Sequence, residues 1–89
     1  MASNFLLHKL KSAKVGDVYI CIETNKEYFV ICNEHPLMAN GINVNGSVYQ
    51  AEDNWWLTRK ATPEERQEFH HILRKYGYKL TSNFIIEKQ

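Results

Sequence analysis

The chain has 89 residues, a formal net charge of +1, 44% hydrophobic residues and 24% charged residues. That length makes a single domain, 1–89, whose core must be efficient, because a chain this short buries only about two-thirds of its unfolded surface. Near-neutral charge excludes general electrostatic attraction to nucleic acid or anionic lipid, 12% aromatic residues exclude a disordered chain, and no apolar run approaches the about 20 residues that span a bilayer.

The first segment, Asn4 to Ala13, reads as a short helix. Ser3 or Asn4 can cap it, Leu6, Leu7 and Leu10 form a stripe, and Lys9, Lys11 and Lys14 sit near its C-terminal end. A strand or a frayed tail fits the same residues. The apolar stretch Phe5-Leu6-Leu7 is too short for a signal-peptide core, so a cytoplasmic location is expected. "VGD" then turns the chain into "VYICIET", with Val18, Ile20 and Ile22 on one face and Tyr19 and Cys21 on the other. "TNK" separates this run from "EYFVICN", where Tyr28, Val30 and Cys32 oppose Phe29 and Ile31. Both runs are apolar on two faces, which predicts a central antiparallel hairpin covered on both sides.

"EHPLMANG" interrupts the pattern and reads as the main loop, because Pro36 lacks an N–H and biases His35 towards extended backbone. "GINVNGSVYQAED" predicts a hairpin centred on Asn45-Gly46, with the type I′ turn that requires positive φ at both residues. "NWWLTR" predicts a further strand, with Trp55 and Leu57 on one face and Trp56 and Thr58 on the other.

The helix from Pro63 to Tyr76 carries the densest signals. Thr62 caps it, Pro63 occupies the first helical position and Glu65 completes a capping box. Acidic residues lead, Arg74 and Lys75 trail, and Phe69, Ile72, Leu73 and Tyr76 form one stripe. Gly77 supplies a left-handed stop. "YKLTSNFIIEK" predicts a last hairpin turning near Thr81-Ser82-Asn83. The expected fold is α+β: an antiparallel twisted sheet or partly open barrel of about five strands, packed by this helix.

No residue set signals catalysis, since the chain has no nucleophile elbow, phosphate loop or dinucleotide fingerprint. His70 and His71 are adjacent on a helix and so diverge by about 100°, which is wrong for two metal ligands on one face. The expected arrangement is one histidine in solvent and the other bordering the core. Cys21 and Cys32 are too few for a disulfide scaffold and read as free thiols, with a cross-strand bond open only if their geometry permits. No metal and no cofactor are implied.

Two binding faces remain. One joins Trp56 to His35, Leu37 and Met38 as an adaptable protein-contact surface. The other uses Trp55 or Trp56 with Arg59 and Lys60 to stack and neutralise a nucleotide or nucleic acid, in one version as a homo-oligomeric sponge for a signalling nucleotide. Strand alternation alone does not choose which tryptophan is exposed.

Arg59, Ala61-Thr62, Glu64-Glu65, Gly77-Tyr78 and Glu87-Lys88, with Gly16-Asp17 earlier, resemble a recurring pattern in small uncharacterised proteins of phages and mobile elements of Bacteroides-like bacteria. The resemblance is carried by the C-terminal third and transfers no catalytic residue. It implies a viral or mobile genome, where small compact proteins act by binding and blocking a host component. The expected function is therefore a non-enzymatic protein binder, in its sharpest form a phage inhibitor of a bacterial defence system.

Overall fold

The two apolar runs of the first half pair as their alternation requires. Strand β1 (Val18–Cys21) lies antiparallel to β2 (Glu27–Glu34), with Val18 opposite Val30 and Cys21 opposite Glu27. The computed structural model describes residues 14–21, 26–34, 37–51 and 59–89. The expected N-terminal helix and most of the "NWWLTR" strand lie outside these residues.

The turn before β1 follows from Gly16. Asp17 N–H donates to the Lys14 carbonyl at 3.0 Å and Gly16 has φ +96, the positive value a type II turn needs at its third residue. The expected loop after β2 is corrected: Leu37–Ile42 form strand β3, paired to β2 with a register shift between Ile31 and Asn33. Cys32 is the extra residue of that bulge. Asn40 and Gly41 are poor strand formers, which hid β3 in the sequence. Packing overrides the propensity. A Cβ on Gly41 would stand 2.8 Å from the Tyr49 ring and 3.1 Å from the Phe29 ring, so glycine lets two aromatic rings lie across the strand.

Strand β4 (Val48–Ala51) returns along β3, with Ala39 opposite Ala51 and Ile42 opposite Val48. The hairpin was expected, but its turn differs. Gly46 N–H donates to Asn43 O at 2.9 Å, Asn43 N–H donates to Ser47 O at 3.1 Å, and only Gly46 has positive φ, at +90. These bonds define a three-residue loop in which the left-handed glycine forms a bulge after a type I turn, in place of the type I′ turn. Strand β5 (Arg59–Lys60) pairs with the free side of β1. Among the described residues the order is β4-β3-β2-β1-β5, an open, twisted antiparallel sheet that does not close into a barrel.

Helix α1 (Pro63–Lys75) starts as predicted. Glu65 N–H donates to Thr62 Oγ1 and Thr62 N–H donates to Glu65 Oε1, a complete capping box. Its stripe buries Phe69, Ile72 and Leu73. Each such side chain contributes about 1.5–3 kcal/mol relative to exposure. They pack against Val18, Ile20, Tyr28, Val30 and Ile42, one face of the sheet. The opposite face holds a second buried cluster of Tyr19, Cys21, Phe29, Ile31, Ala39 and Ala51, with Tyr49 at its rim. Both faces of the central hairpin are thus buried.

After Gly77 (φ +76), β6 (Tyr78–Leu80) and β7 (Ile86–Lys88) form a separate two-stranded sheet. Its turn repeats the earlier loop: Phe84 N–H donates to Thr81 O and Thr81 N–H to Ile85 O, both at 2.9 Å. Here the left-handed position is Phe84, at φ +61. Its carbonyl accepts from Asn40 Nδ2 at 2.8 Å, and its ring covers Gly16. No described helix is long and apolar enough to cross a membrane.

Candidate binding face

The sheet end where β2 passes to β3 gathers the described part of the expected protein-contact face. Leu37 and Met38 are the first residues of β3, opposite Glu34 and Asn33. Met38 is half-buried, and Gln50 Nε2 lies 3.9 Å from its thioether sulfur. Because Ala39 pairs with Ala51, β4 ends beside Met38. His35, Trp55 and Trp56 lie outside the described residues. Of the two residues expected as loop contacts and described here, both stand on a strand, because the β2–β3 ladder continues to Leu37.

The cations of the nucleotide reading are engaged by acids. Arg59 Nη1 and Nη2 donate to the two Glu65 carboxylate oxygens, each at 2.8 Å. This fork fixes the exposed β5 edge to the first turn of α1. The Arg59 bond, followed by the Thr62 backbone bond, lowers Glu65 to a pKa of about 2. Arg59 is raised by the same side-chain bond. Lys60 Nζ stands 3.5 Å from Asp17 Oδ2. A phosphate arriving at Arg59 and Lys60 must compete with two carboxylates already in place.

Both helix histidines are exposed, and His70 is the one that borders the core. The His70 ring lies 5.2 Å from the Phe69 ring, and burial, then Arg74, lowers its pKa. Among the described residues no group of three or more His, Cys, Asp or Glu is placed to hold a metal. Cys21 and Cys32 are not joined in a disulfide. Cys21 faces Glu27 at one end of β2, five positions from Cys32, so the hairpin register separates the thiols. Burial raises the Cys32 pKa, against the opposing effects of its backbone bond and Asn40. A thiol held protonated is a poor nucleophile.

Sequence reasoning did not find three polar devices. Tyr49 donates its hydroxyl to Glu27 across the sheet, Asn40 reaches Phe84, and Tyr76 donates to the Val44 carbonyl at 3.0 Å. Each joins residues at least 22 positions apart, a separation that local patterning cannot register. No family model, curated protein or solved structure matches this chain.

Proposed function

We propose that the chain is a non-enzymatic protein-binding module whose contact face is the β2–β3 end of the sheet. Met38 provides its described side chain, Leu37 is the first position of the same strand, and Trp56 and His35 are its expected remainder. The observation that carries this reading is the Ala39–Ala51 register, which sets the half-buried Met38 beside the end of β4, after which Trp55 and Trp56 follow in the sequence. Thioether and aromatic side chains make adaptable, well-desolvated contacts. In its sharper form the module is a phage-encoded inhibitor that occludes a surface on a bacterial defence protein, and the resemblance of the C-terminal third supports that form.

The rival is a nucleotide or nucleic-acid binder using Trp55, Arg59 and Lys60. The Arg59–Glu65 and Lys60–Asp17 pairs weigh against it, because binding must first break them. A pull-down from bacterial lysate separates the two. The protein-binding reading expects one stoichiometric partner that survives high salt, is lost with Met38→Asp or Trp56→Ala, and is kept with Arg59→Met. Retention that collapses as salt rises, or that follows Arg59 and not Met38, overturns it.

A further inference from the structure

We propose that β4 is a docking edge for a second copy of this chain, pairing antiparallel with itself across a two-fold axis beside Tyr49. Among the described residues the two edges of the sheet, β4 and β5, are treated differently. The β5 edge carries Arg59 and Lys60, both exposed, and is braced by the fork to α1. Placing β5 against itself sets cations beside cations, the usual device against edge pairing. The β4 edge, Val48-Tyr49-Gln50-Ala51, has no charge and no proline.

The ladder indicates which backbone groups face outwards. Asn43 N–H donates to Ser47 O, so Asn43–Ser47 is a hydrogen-bonded pair. Antiparallel pairs alternate, so Ile42–Val48 is not bonded, Gly41–Tyr49 is, and Asn40–Gln50 is not. The N–H and C=O groups of Val48 and Gln50 therefore point away from β3. They are two residues apart, the spacing a neighbouring strand needs. About the two-fold axis, Val48 meets Gln50 of the second copy and Gln50 meets Val48, an isologous contact in which every donor finds an acceptor.

The side chains fit the same operation. Tyr49 becomes the non-bonded pair with its own copy, the pair whose side chains approach most closely. Its half-buried ring already meets Phe29 edge-on, with centroids 5.9 Å apart. Pairing extends that contact into one aromatic row crossing the axis, and aromatic cross-strand pairs stabilise a sheet. The five described strands of each copy then run as one continuous sheet through the dimer.

Size-exclusion chromatography with light scattering over a wide concentration range tests this. The wild-type chain is expected to move from monomer to dimer, with the Val48 and Gln50 amides gaining hydrogen-exchange protection. Gln50→Pro removes an outward N–H that the β3 ladder does not use, so it should give a monomer with unchanged far-UV circular dichroism. If the proline variant does not fold, Val48→Lys with Gln50→Lys serves in its place, setting lysines opposite one another across the axis. A wild-type chain monomeric at every concentration overturns the proposal. So does a dimer that the folded proline variant or the lysine pair leaves intact.

Discussion

Gly77 and Gly46 are both left-handed, yet they sit in opposite surroundings. A Cβ on Gly77 meets nothing within 4 Å, whereas one on Gly46 would stand 2.6 Å from the Tyr76 ring. Gly77→Ala therefore carries only the conformational cost, about 1 kcal/mol. Gly46→Ala carries that cost and also displaces the ring whose hydroxyl holds Val44. Thermal melts should rank Gly46→Ala as clearly the more damaging; equal losses would mean that the Tyr76 ring moves aside freely. The turn at Asn45-Gly46 was legible from its residues, but its type was not. In both hairpins the left-handed residue is fixed by a distant partner: Tyr76 over Gly46, and Asn40 and Gly16 against Phe84. Phe84 shows the limit of residue-level reading, since nothing local marks a phenylalanine for positive φ.

Among the elements, α1 was readable from end to end because its signals are local: a capping threonine, a proline at the first position, ordered charges and a terminal glycine. Strand β3 was not, because Asn40 and Gly41 argue against a strand until Tyr49, Phe29 and Phe84 are in place. The candidate face was legible only as residue types, and its placement at the end of β3 depends on the bulge at Cys32. The start of α1 allows two tests. Thr62→Ala should destabilise the protein by about 1 kcal/mol in denaturant titration, and a loss confined to a few tenths would show that Glu65 alone suffices. The second test is acid. Glu65 titrates at about 2 in the folded chain, below the ordinary glutamate range near 4.3, so the folded state favours the carboxylate. Its contribution is present above the unfolded value and is lost as pH falls towards 2. Carboxyl NMR should find Glu65 titrating well below the ordinary glutamate value, and Arg59→Met should return it upwards. A Glu65 that titrates normally with Arg59 intact would break the link between β5 and α1.

At the scale of the molecule, two sheets must be held together, and beside their apolar packing they share a polar contact. Asn40 is the one buried polar or charged residue among those described, and it belongs to the five-stranded sheet. Its Nδ2 donates to the Phe84 carbonyl in the turn of the two-stranded sheet, while Ile86 adds apolar packing beside it. Asn40→Ala leaves that carbonyl without its donor, at a cost of about 1–3 kcal/mol. The cost should also be local. The bond does not belong to the β2–β3–β4 ladder, so amides of residues 78–88 should lose hydrogen-exchange protection before those of β2 and β3. Asn40→Asp is the sharper variant. At neutral pH it sets a carboxylate against a carbonyl oxygen and should destabilise more than alanine. Acidification protonates it, restores an O–H donor and should recover part of the loss, in the direction opposite to Glu65. If Asn40→Ala lowers protection equally in all strands, or if Asn40→Asp shows no recovery on acidification, the hairpin is held by Ile86, Leu80 and the Phe84 ring alone, and Asn40 is a buried amide of no consequence to the joining of the two sheets.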